Sequence, residues 1–152
     1  MSGPRDWVFE DFAVGQVFEG QGRTITETDV VFFAGWSWDA NPVHTDAVTQ
    51  ADSRFGGRIA HGVLGLSVAM GLASRLGVFE GCSIALLGVD TWRFVAPVYI
   101  GDTVRVRVEI MTIRRTSAGT SGVLGRQFTL LNQRDEAVQE GRIDLLVAAR
   151  GA

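Results

Sequence analysis

From His61 to Gly77 the sequence runs HGVLGLSVAMGLASRLG, with apolar or small residues on every side of a helix. A helix without a polar face has to be enclosed by protein. Gly77 stands where such a helix would stop. The wider apolar segment from Ile59 to Phe79 is interrupted by Ser67, Ser74, Arg75 and four glycines. A membrane span calls for about 20 predominantly apolar residues with few charges, so the segment reads as a buried core helix, and no membrane association is expected.

The covering layer follows in the chain. From Ile84 onward the periodicity changes to strict alternation, clearest in DTVRVRVEIMTIRR from Asp102 to Arg115. Val104, Val106, Val108 and Ile110 share one face, and Arg105, Arg107 and Glu109 the other. Further strands are predicted at ALLGVDTWRF, at Val123 to Leu131 and at Ala137 to Val147, the last two joined through the polar turn NQRDE. Consecutive strands with short links are expected to pair antiparallel. An antiparallel sheet with one apolar face needs cover, and the helix after His61 is the element able to supply it. The expected class is α+β, an antiparallel sheet wrapped around a long central helix.

With 152 residues and 46% hydrophobic content, one core and a single domain over residues 1–152 are expected. A net charge of −3 argues against a nucleic-acid or acidic-surface partner. Cys82 is the single cysteine and cannot form an intrachain disulfide, and MSGPRDWVFEDF lacks the pattern of a secretion signal. A cytoplasmic location is expected.

The first third reads as a strand over Gln16–Ile25, then the helix-start signal TETD with Thr26 as cap and Asp29 in the first turn. A short helix over Val30–Ala34, closed by Gly35, leads into an irregular loop from Trp36 to Val43, because Pro42 biases Asn41 away from helical geometry. A second helix is predicted in TDAVTQADSRF, capped by Thr45 or Asp46 and ended by Gly56 and Gly57.

The chain has two histidines, His44 and His61, and neither lies in a predicted strand. His44 follows Asp39 by five residues, with Asn41 and Pro42 between. On one helix the two side chains would point about 140° apart. An Asn-Pro turn removes that objection. A carboxylate and an imidazole sharing a water can activate it and later return a proton. The start of the helix at His61 and Gly62 adds free backbone amides and the positive end of a dipole, suited to an oxyanion. Taken alone, Asp39 is also an ordinary turn residue and His61 an anchor of loop to helix.

The run FFAGWSWDANPVHTDAVTQADSRFGGRIAHGVLGLSVAMG resembles the signature region of the MaoC-like hydratases, which include the (R)-specific enoyl-CoA hydratases. Asp39, Asn41, Pro42, His44, Ala51, Phe55, Gly56, Ala60, His61 and Gly62 match that pattern in order and spacing. EDFAVGQVFEGQGRTITETDV and RFVAPVYIGDTVRVRVEI extend the likeness over most of the chain. The resemblance implies the hot-dog fold, a homodimer joined sheet edge to sheet edge, and hydration or dehydration of an acyl-CoA or acyl-carrier-protein thioester in fatty acid metabolism. By the same likeness Asp39 and His44 are the catalytic pair and the Gly62 amide binds the thioester oxygen. Asn41, Trp36, Trp38 and His61 are the residues expected to shape the substrate site. No cofactor and no metal are implied. Trp38 departs from the small residue the family commonly carries before the aspartate; it either narrows the acyl pocket or packs beneath the loop. Thioester hydrolysis and non-catalytic acyl-CoA binding are the alternatives on the same fold.

Overall fold

The structure is a computed structural model describing residues 7–151. After a 3-10 turn at Phe9–Asp11 come β1 (Val17–Glu19), β2 (Arg23–Thr24), α1 (Glu27–Ser37), α2 (Pro42–Thr45), α3 (Ala47–Ala51) and α4 (Gly62–Ser74). The chain continues through β3 (Ser83–Phe94), β4 (Thr103–Arg115), β5 (Ser121–Leu131) and β6 (Ala137–Ala148). The strands form an antiparallel sheet in the order β1-β4-β5-β6-β3, with β2 paired to β4 beyond that path.

α4 lies against the concave face and buries Leu64, Val68, Ala69, Leu72 and Ala73. Opposite it, Val104, Val106, Val108 and Ile110 of β4 are fully buried, which is the alternation the sequence shows. Burial of each such side chain stabilises the fold by about 1.5–3 kcal/mol before conformational entropy is subtracted. None of the described helices is long and apolar enough to cross a membrane.

Several local expectations are corrected. Consecutive pairing fails at β3, which crosses to the far edge and pairs with β6 instead of β4. The strand expected over Gln16–Ile25 is split at Gly20–Gly22; a side chain at Gly22 would meet the Thr103 methyl at 2.9 Å. α1 runs past Gly35 to Ser37, and its C-cap is Trp38 in the left-handed region at φ 65°. Gly35 has an ordinary helical role, and the indole takes the position glycine would normally fill. Pro42 begins a helix rather than preventing one, because a first-turn proline has no amide bond to lose. Asp46, not Thr45, caps α3, accepting from the amides of Val48 and Thr49. α3 stops at Ala51, short of Phe55, and α4 ends at Ser74 before Gly77. The Thr26 and Asp29 cap of α1 forms as the sequence indicates.

The two ends of the described chain are tied by Glu10, which accepts from the Arg150 amide at 2.9 Å and pairs with Arg115. Those bonds hold its carboxyl down at about 2. A carboxyl with a depressed folded value adds stability above its ordinary value of 4.5, lost as pH falls toward 2. Glu10→Gln is therefore expected to flatten the fall of the melting midpoint across that interval; an unchanged slope in acid titration would contradict the tie.

Candidate active site

Asp39, His44, His61 and Gly62 converge where the end of α1, the turn of α2 and the start of α4 meet. The left-handed Trp38 swings the chain out of α1, and Ser37 fixes the exit by donating to the Phe33 carbonyl at 2.6 Å and accepting from the Asp39 amide at 3.2 Å. Asn41 then caps α2, its side-chain oxygen accepting from the Val43 amide at 3.1 Å. Asn41 thus shapes the turn and does not line the cavity beside it.

The α2 turn puts His44 into a buried position, 9% exposed, where its Nδ1–H donates to the Ile59 carbonyl at 2.7 Å. A carbonyl only accepts, so this bond sets the tautomer and leaves the Nε2 lone pair free. Nε2 faces Oδ2 of Asp39 at 4.0 Å. That separation is too long for a direct hydrogen bond and short enough for one water to touch both. The Asp39 side chain remains half exposed.

His61 is 2% exposed and sits between Phe33 and His44, its ring stacked on His44 with centroids 3.8 Å apart. Its Nε2–H donates to the backbone carbonyl of Asp39 at 2.9 Å. The ring therefore ties the aspartate loop to the helix, and its Nδ1 has no partner among the described residues. Asp39, His44 and His61 offer ligand atoms within 4.8 Å of one another.

His61 is also the N-cap of α4, yet its side chain does not cap the helix, and no side chain among the described residues bonds the first amides. The Gly62 amide is left with the positive end of the helix dipole behind it. Glycine lets the Phe94 ring close over this position, since a Cβ would lie 2.7 Å from it and the ring would have to turn aside.

These groups line an open cavity of about 690 Å³ whose walls include Phe33, Phe55, Phe94 and Val98. A larger hollow of about 930 Å³, between Gly20–Arg23 and α4, contains none of the candidate site residues expected from the sequence. Trp36 and Trp38 are 83% and 91% exposed and do not line the cavity; Trp36 borders a separate shallow hollow with Phe32. Neither indole packs as core within this chain. Arg54 does line the cavity, while Arg58 is paired with Glu27 and Arg115 with Glu10.

Sequence reasoning missed Gln139. It lies on β6, 2% exposed, donating to the Gly62 carbonyl at 3.0 Å and accepting from the Trp92 indole at 3.2 Å. The available signal was a glutamine on the inward side of an alternating strand.

Residues 10–128 match the MaoC like domain, and the chain belongs to that family. It is 33% identical over 147 residues to the (R)-specific enoyl-CoA hydratase of Rhodospirillum rubrum, covering 94% of this chain and 93% of that one. To the Protein MaoC of Klebsiella aerogenes it is 40% identical over 100 residues; the match takes in 66% of this chain and spans 29% of that longer protein. Among solved structures, a conserved hypothetical protein of Mycobacterium tuberculosis with a double hotdog fold superposes with a TM-score of 0.85 at 24% identity, over 95% of this chain and 44% of that one. The fold is the hot dog.

Proposed function

We propose that the chain catalyses the reversible addition of water to a 2-enoyl-CoA, forming (R)-3-hydroxyacyl-CoA. The observation that carries this reading is the 4.0 Å gap between His44 Nε2 and Asp39 Oδ2, opening on the cavity that also receives the Gly62 amide. A water held between carboxylate and imidazole gives a proton to this pair as its oxygen bonds the β carbon. Electrons of the double bond move toward the thioester oxygen, where the Gly62 amide and the α4 dipole stabilise the developing charge. The pair then returns a proton to the α carbon, completing addition of one water. Dehydration runs the same steps backward.

The hydratase named among the relatives supports the reaction class. Coenzyme A is the proposed carrier, with Arg54 in the cavity wall as a cation within reach of its phosphates; an acyl carrier protein is the alternative carrier. The chain is further proposed to act as a homodimer. β3 is a twelve-residue edge strand with Ile84, Leu86, Leu87 and Val89 exposed, a surface that stays soluble best when paired.

The test is loss of the conjugated enoyl-thioester absorbance of crotonyl-CoA by the purified protein, with thiol release followed in parallel. Hydration without thiol release is expected; thiol release alone would assign the chain to thioester hydrolysis, and binding without turnover to a non-catalytic role. Sedimentation of the same preparation is expected to give a dimer, and a monomer at assay concentration would contradict the pairing.

A further inference from the structure

The inward positions of β6 run Gln139, Gly141, Ile143 and Leu145 along the flank of α4. Gln139 belongs to the catalytic cavity, and Leu145, roughly 20 Å further along the strand, to a second cavity of about 280 Å³ with Met70, Leu86 and Arg126. Gln139 lines the inner side of the first cavity, with the Trp92 indole bonded behind it. The Gln139 amide lies so close to α4 that a side chain at Gly65 would come within 2.0 Å of its Nε2. Trp92 presses equally close to β6, since a Cβ at Gly141 would be 2.6 Å from the indole and 2.8 Å from the Trp92 Cα. Two glycines thus let Gln139 approach α4 and Trp92 approach β6 without a side chain in between.

The Gln139 side chain is held by directed bonds. The indole N–H can only donate and the Gly62 carbonyl can only accept, so the amide of Gln139 has one orientation. Displacing it would leave buried polar groups without partners, which costs more than the bonds themselves contribute. The Asp39 side of the cavity is half exposed whereas Gln139 is 2% exposed. A charged nucleotide carrier has to stay at the solvent side, so the acyl tail runs toward Gln139.

We infer that Gln139, tethered by Trp92, closes the acyl end of the cavity and restricts the enzyme to short acyl chains. This rests on the enoyl-CoA reading for the ligand, and its test uses binding so that the two stand apart. Calorimetric titration of the full-length protein with butyryl-CoA and octanoyl-CoA is expected to show at least tenfold tighter binding of the shorter ester. Gln139→Ala is expected to move that ratio at least tenfold toward octanoyl-CoA. Should Gln139→Ala fail to fold by circular dichroism, Trp92→Phe keeps the aromatic bulk while removing the N–H that tethers the amide, and is expected to move the ratio threefold or more. A wild type that favours octanoyl-CoA, or an unchanged ratio in the folded variant, overturns the gate. If crotonyl-CoA is not turned over while the ratio shifts as stated, the hydratase reading fails and the gate stands. Binding of neither ester by the wild type overturns both.

Discussion

Asp39→Asn is expected to lower kcat/KM for crotonyl-CoA by about 10²- to 10⁴-fold, the range that positioned acid/base groups contribute. That corresponds to roughly 3–5 kcal/mol of lost transition-state stabilisation. The carboxylate is half exposed and makes no ion pair among the described residues closer than the 4.0 Å approach to His44, so the variant should melt near the wild type. KM should move little, because the loss falls on a step made only in the transition state. His44→Ala should cost activity on the same scale and some stability as well, since it leaves the Ile59 carbonyl without its partner. The double variant should be little worse than either single one if the residues share one water. Wild-type turnover by folded Asp39→Asn would remove the pair from the mechanism.

Phe128→Ala is expected to destabilise the fold by about 3–5 kcal/mol. Phe128 is fully buried on β5, against Trp92 at 6.4 Å between ring centroids. The guanidinium of Arg126 also lies over it at 5.0 Å and over Phe79 at 4.8 Å. Burial pushes Arg126 down to about 10 against the pull of Asp144, and the two ring faces and its bond to the Ile143 carbonyl are the contacts its buried guanidinium has there. Removing the ring opens a cavity and withdraws one of those supports together. Against the usual total of about 5–15 kcal/mol the loss is large. A thermal melt should show the midpoint lower by roughly 6–20 °C. A fall of less than about 3 °C would mean that the site collapses around the deletion, or that the ring carries far less of the core than its burial indicates.

The parts of the fold legible in the sequence are those set by residues close together in the chain. Alternation from Val104 to Ile110 marks β4, and the unbroken apolar character after His61 marks a helix that must be enclosed. Strand order is different in kind. Nothing in the eight residues between Phe94 and Thr103 says that β3 leaves its neighbour in sequence for β6. Pro42 was misleading because its preference acts on the residue before it, and that residue is the cap outside the helix. For the site, the spacing of Asp39 and His44 allowed their approach, while the bonds that shape it join distant segments. Ile59 orients one ring, and the Asp39 carbonyl holds the other. Gln139 comes from a strand nearly eighty residues beyond Gly62, a separation of 77 positions, which no local motif spans.

The bond from His61 to the Asp39 carbonyl makes the Asp39 loop and the start of α4 one mechanical unit. The carboxylate hangs from the backbone that His61 grips, and the Gly62 amide is the next residue after that histidine. Thermal displacement of the loop therefore carries the Asp39 carboxylate and the Gly62 amide together, leaving their spacing nearly constant. A half-exposed aspartate on a surface turn gains the positional discipline of the buried core without leaving solvent.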